Sequence, residues 1–187
     1  MSLRPIRRTA PLALFLAACA SGPTIRSDVD KSADFTKYRT FAFYEPFGLD
    51  RDGIRTPLGN TVRTAVAAEM ERRGLLSVES GADLLADLLV NAGGMVTDKQ
   101  RVDTAGSHYG YRRYGGWSSY SEVVVTDYLE GTLTIDVIDP ARKQMVWSST
   151  AIDEVTEDER SRRDEVLPPI VRDMFASFPI APPPAAK

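Results

Sequence analysis

"YLEGTLTIDVIDPARKQMVW", residues 128 to 147, decides how this chain folds. From Glu122 to Asp139 apolar side chains recur at the odd positions Val123, Val125, Leu129, Leu133, Ile135 and Val137, while the even positions are mostly Thr, Tyr, Glu and Asp. A two-residue period is that of a strand with one dry and one wet face, the usual condition of antiparallel strands. Asp139-Pro140-Ala141-Arg142-Lys143 is turn chemistry, and Met145, Val146 and Trp147 open a return strand that reaches about Val155. The pair predicts a long hairpin.

Working upstream, Leu84 to Val96 places Leu84, Ala86, Leu88, Val90, Ala92 and Val96 on one face, with Asp87 and Asn91 on the other. This predicts a third strand, with Gly93-Gly94 as a candidate bulge. Tyr38 to Tyr44 and Ile25 to Val29 are shorter runs that read as strands. Thr56-Pro57 supplies an N-cap and a first-turn proline. Leu58, Val62, Ala65, Val66 and Met70 then recur at helical spacing up to Arg72-Arg73-Gly74. Leu167, Ile170, Val171, Met174, Phe175 and Phe178 make a second helical stripe closed by Pro179. Pro168 and Pro169 belong in the first turn of such a helix, so the charged stretch before them is expected to run separately. The fold class that follows is α+β, a mostly antiparallel sheet of four to five strands with two helices packed on one face.

The chain has 187 residues, 43% hydrophobic and 26% charged, which fits one domain with its own core. Its net charge of −3 is spread along the sequence, so no electrostatic footprint for nucleic acid stands out. Residues 1–18 have the order of parts of a signal peptide, with Arg4, Arg7 and Arg8 ahead of a short apolar run from Ala10 to Ala18. That run is far below the ~20 residues of a spanning helix. Residues 180–187 are rich in proline and alanine and are expected to be a disordered tail.

Leu16-Ala17-Ala18-Cys19 contains the chain's one cysteine and resembles the bacterial lipobox. In proteins of that kind the signal peptide is cut before the cysteine, whose thiol carries a diacylglycerol, and the mature N-terminus is acylated with palmitate or a similar chain. An ordinary signal peptide with an incidental cysteine is the competing reading. Ala20 follows the cysteine, where an aspartate is what lipoprotein sorting usually treats as an inner-membrane retention signal. The resemblance therefore implies a lipid anchor at Cys19 in the outer membrane, facing the periplasm. Residues 19–24 are then a lipidated cysteine and tether, and residues 25–179 a single domain.

"DKSADFTKYRTFAF" (Asp30 to Phe43), "ADLLV" (Ala86 to Val90), "YLEGTLTIDVIDPARKQMVW" and "FASFP" (Phe175 to Pro179) resemble the landmarks of the bacterial lipoproteins grouped as domain of unknown function 4136. The match runs in order through nearly all of the mature chain. Phe43 stands where members often have tryptophan, and Ser148-Ser149 where Arg-Gly is common. The resemblance implies an envelope location and a shared fold, and carries no activity, cofactor or catalytic residue.

Chemistry-bearing residues are few. Glu130 and Asp136 lie six apart on the polar face of one predicted strand, roughly 20 Å at ~3.3 Å per residue. Paired glycosidase carboxylates are ~5 to 9.5 Å apart. Asp127 falls on the otherwise apolar face of that strand. His108 is the sole histidine and has no Gly-x-Ser-x-Gly partner motif, and one histidine with an acylated cysteine makes no usual zinc site. Residues 98–121 read as a long loop with Tyr109, Tyr111, Arg112, Arg113, Tyr114, Trp117 and Tyr120, residue types that dominate binding hot spots. It is either a mobile extension or a surface for an envelope protein or glycan. Two functions stay open: a non-enzymatic binding or scaffolding lipoprotein without cofactor or metal, and a hydrolase of an envelope polymer working through sheet carboxylates.

Overall fold

The computed structural model describes residues 22–79, 86–107 and 120–184, with the backbone alone at 104–107 and 120–122. Six strands and three α-helices follow in the order β1 (Thr24–Val29), β2 (Thr40–Phe43), α1 (Pro57–Arg72), β3 (Leu76–Ser77), β4 (Leu88–Ser107), β5 (Tyr120–Asp139), β6 (Gln144–Glu154), α2 (Glu157–Ser161) and α3 (Arg163–Met174). The strands form one sheet in the order β1-β6-β5-β4-β2-β3. β1, β6, β5 and β4 run antiparallel each to the next, whereas β2 runs parallel to both β4 and β3. The α+β class holds. The expected four to five mostly antiparallel strands become six in a mixed sheet, because the chain returns through α1 to place β3 beside β2 and then enters β4 parallel to β2.

One face of the sheet meets the helices. Leu88, Val90 and Ala92 of β4, Ile135 and Val137 of β5, and Trp147 and Ala151 of β6 are buried against a cluster that includes Val62, Val66 and Met70 of α1 and Val171 and Met174 of α3. Their partners across the ladder, Val90 opposite Val137 and Ala92 opposite Ile135, explain why even positions of β4 and odd positions of β5 share that face. On the opposite, half-exposed face polar side chains pair with one another. Thr134 and Thr150 hydroxyls lie 3.0 Å apart, and Ser148 donates to Asp136 at 2.7 Å.

The predicted cap of α1 is present. Thr56 Oγ1 accepts from the Gly59 amide at 2.9 Å, and Gly74 takes the left-handed conformation (φ +84°) just past the helix end. The second helix differs from expectation at both ends. It starts at Arg163 rather than at the prolines, so Pro168 and Pro169 lie inside it; the carbonyls left without a donor belong to the exposed Asp164 and Glu165, where water substitutes. It ends at Met174, and Phe175–Ser177 continue as a 3₁₀ turn that carries Phe178 into the core. The charged stretch ahead of it is the short α2, closed by a reciprocal cap between Thr156 and Glu159.

Gly93-Gly94 is no bulge: the β4–β5 register is continuous through both, and the shift occurs between β5 and β6 at Val137/Ile138. Gly94 serves close approach instead, since a Cβ there would stand 3.1 Å from Leu49 Cδ2. Ile180, expected in a disordered tail, packs against the core.

The described core lies wholly between Tyr38 and Phe178. Among the described residues no helix is long and apolar enough to cross a membrane.

Candidate functional site

The largest departure from expectation lies at 98–121. Asp98 to Ser107 continue β4, and Tyr120 and Ser121 open β5, so residues 108–119 alone separate the two strands. Asp98, Lys99, Gln100, Arg101 and Asp103 hide this in the sequence, because a ribbon wet on both faces has no hydrophobic alternation to show. Tyr109, Tyr111, Arg112, Arg113, Tyr114 and Trp117 fall outside the described residues, as do Cys19 and His108. Tyr120 is described by its backbone, paired with Ser107.

β6 ends opposite Glu130. Beyond it, from the Asp98–Leu129 pair to the Ser107–Tyr120 pair, β4 and β5 pair as strands with each other alone among the described residues, the Val155 amide still donating to the Leu129 carbonyl at 2.7 Å, and project as a two-stranded arm. At ~3.4 Å per residue this arm is about 30 Å long. The face that continues the buried side of the sheet carries Val102, Val123 and Val125, all more than half exposed, beside the polar Asp98, Gln100 and Asp127. No helix among the described residues covers it. The same alternation that buries Ile135 and Val137 therefore leaves a valine patch bare once the helices are passed. On the other face charges close on themselves: Lys99 pairs with Glu130 at 3.5 Å, Arg101 with Glu154 at 3.2 Å, and the Arg101 guanidinium lies 4.8 Å from the centre of the Tyr128 ring.

At the root of the arm is a cleft of about 720 Å³ between the sheet and the starts of α1 and α3. Leu58, Met95, Val155, Val166 and Ile170 line it, with Arg51, Arg160 and Arg163 among its charged residues. Gly131 shapes the floor, because a Cβ there would stand within 2.4 Å of Val155 Cγ2. Pro23, the residue before β1, also lines the cleft, so the first strand starts beside it.

The carboxylates singled out in the sequence are not gathered. Glu130 is held by Lys99, Asp136 by Ser148, and Asp127 accepts from Gln100 Nε2 at 2.9 Å on the opposite face of the ribbon. Among the described residues no group of three His, Cys, Asp or Glu side chains could hold a metal ion.

Sequence reasoning missed three polar clusters, all of which brace loops. Arg63, buried in α1, donates to Asp50 through both terminal nitrogens (3.0 and 2.7 Å) and lies 4.1 Å from the Phe47 ring centre, pinning the 45–56 connection. Arg73 donates to the Glu69 side chain and to the Phe175 carbonyl, tying α1 to the C-terminal turn. At the end of the sheet remote from the arm, Arg142 donates to Asp30 at 2.9 Å and to Ser32, and Tyr38 donates to Asp139 at 2.9 Å. The last cluster joins "DKSADF" to the "DPARK" turn, and only the fold brings those segments together.

These clusters set the response to acid. The Arg63 hydrogen bonds hold the Asp50 carboxyl below its ordinary value. Burial pushes Glu69 up, but hydrogen bonds from Arg73 and Arg72 outweigh it and the net shift is downward. Asp87 behaves likewise, its burial offset by the backbone amides of Arg39 and Thr40. Carboxyls depressed in the folded state stabilise it fully above their unfolded values, 3.8 for Asp and 4.5 for Glu, and lose that contribution as pH falls through the folded ones. The urea midpoint is expected to be flat from pH 7 to about 5.5 and to fall steadily below about 4.5. A midpoint unchanged down to pH 3 would contradict this assignment.

The family model of the domain of unknown function DUF4136 matches residues 25–180. The chain belongs to this family. The matched span runs from β1 to Ile180, which packs against the core after α3. No curated protein matches it in sequence. Among solved structures it is similar to a PDZ domain protein from Parabacteroides distasonis, at 15% identity and a TM-score of 0.56 over 84% of this chain. This chain spans 35% of that one, and the likeness is one of fold. The PelC dodecamer from Paraburkholderia phytofirmans is matched at 13% identity and a TM-score of 0.45, over 82% of this chain and 95% of that one.

Proposed function

We propose that this DUF4136 protein is a lipid-anchored component of the cell envelope, held by Cys19 to the periplasmic leaflet of the outer membrane, that works by binding a partner protein through its arm. The bare valine patch carries the reading. Monomeric proteins rarely leave contiguous apolar surface of more than a few hundred Å² uncovered, and an isolated two-stranded ribbon is marginal in water. A partner that covers Val102, Val123 and Val125 supplies what the helices supply to the rest of that face. Because Pro23 and the root of the arm share one cleft, arm and anchor leave the domain at the same end, and the partner is met on the membrane-proximal side.

The test is a Val102→Asp, Val125→Asp double variant of the full lipidated chain. Both side chains are more than half exposed, so folding stability is expected to change by no more than about 0.5 kcal/mol per site. Recovery of the envelope complex after crosslinking in cells should drop at least tenfold. Undiminished recovery would overturn the role given to the arm.

A further inference from the structure

The cleft at the root of the arm has no function in the reading above, and three features specify what it holds. Apolar side chains from three elements line it, Val96 and Leu133 on the sheet, Leu58 on α1 and Val166 and Ile170 on α3, with Asp153, Glu159, Arg160 and Arg163 beside them. Its volume, about 720 Å³, falls in the range of small-molecule sites, ~300–1,000 Å³. Pro23, the residue before β1, is part of its wall.

Cys19 is four residues upstream of Pro23, and four residues span at most about 14 Å. Any acyl chain carried at Cys19 is therefore tethered beside an apolar cleft that it can enter. A short flexible tether holds its load at an effective concentration in the millimolar range, which no untethered lipid in water approaches.

We infer that the cleft is the seat of an acyl chain of the protein's own N-terminal lipid, occupied when the protein is away from a bilayer. The inference rests on the lipid anchor proposed at Cys19. A methylene gains about as much from the bilayer as from an apolar protein cleft, so a membrane competes for the chain and empties the site, whereas in water the cleft is the better place for it. One chain of the anchor is thus sheltered away from a bilayer and released on contact with one, without any change in the sheet or helices. Arg51, Arg160 and Arg163 stand among the lining residues, with Asp153, Glu154 and Glu159, as polar partners for the glycerol end of the chain.

The experiment uses the full chain made in cells fed a palmitate analogue that carries a diazirine and an alkyne. The lipidated protein is purified, freed of detergent and irradiated, and the crosslinked peptides are mapped. The expected result is label on Cys19, with crosslinks inside the same polypeptide to Leu58, Val166 or Ile170. A Val96→Asp variant should lower their yield at least fivefold while leaving near-ultraviolet circular dichroism unchanged, Val96 being 53% exposed on the helix-facing side of β4. Label on Cys19 with crosslinks only to neighbouring copies or to phospholipid would overturn this inference and leave the lipid anchor standing. Absence of label from Cys19 would overturn both.

Discussion

Trp147→Ala is expected to lower the stability of the domain by about 3–5 kcal/mol, the range for emptying a large aromatic site in a core. Trp147 is 1% exposed and stands at the junction of sheet and C-terminal segment, with its ring 5.0 Å from that of Phe175 and 5.2 Å from that of Phe178. Phe35 extends the same cluster through Phe178 at 5.8 Å, so four aromatic rings from three separate parts of the chain lean on one another. Truncation leaves a cavity that Phe175 cannot fill, because its backbone carbonyl is held by Arg73 at 2.7 Å. Chemical denaturation of the Trp147→Ala protein should show a much lower midpoint. A Trp147→Phe change should recover more than half of the loss, and failure to do so would assign the effect to something other than packing volume.

Arg63→Ala is expected to cost about 3–5 kcal/mol as well, for a different reason. It strands the Asp50 carboxylate, whose side chain is 3% exposed, without its bidentate partner, and it removes the cation from the face of Phe47. Glu45 is half exposed, lies farther from Arg63 at 3.5 Å, and loses little. Arg63 Nε has no hydrogen-bond partner, so the pair is not fully compensated in its buried setting. Replacing both members, Arg63→Met with Asp50→Leu, should therefore restore at least half of the stability that Arg63→Ala loses. If the double variant is no more stable than the single one, the stranded charge is not the cause.

What could be read in advance follows from which forces leave a periodic trace. β5 was legible because one face is buried and the other wet over Leu133 to Asp139, and α1 because Thr56-Pro57 and Gly74 mark its ends as clearly as Val62, Val66 and Met70 mark its face. β3 was not legible, since two residues carry no period; Leu76 and Ser77 are a strand because the Leu76 amide reaches the Arg39 carbonyl at 2.9 Å. The outer half of β4 escaped because it has no buried face. The start of α3 escaped because two prolines normally open a helix, and their cost here is borne by solvent around exposed carbonyls.

The candidate site divides in the same way. Valines at alternate positions from Val123 were visible, whereas their exposure depends on where β6 and the helices stop, which no local pattern encodes. The cleft is a product of topology: Val96, Leu58 and Ile170 come from three elements far apart in sequence. Glu130 and Asp136 attracted notice as acids on one strand face, and each is satisfied by a neighbour across the ladder. The Asp30–Arg142 and Tyr38–Asp139 contacts give the family's landmark segments a structural reason to recur together, independent of any reaction.

The most direct measurement is site-specific photo-crosslinking in living cells, with a photoreactive residue at Val102 or Val125 on the arm and, in a separate strain, at the exposed Glu71 of α1. The binding account predicts one discrete protein adduct shared by the two arm positions, absent at Glu71 and lost when the other arm valine is changed to aspartate. Equal labelling at all three positions, or none at either valine, would contradict it.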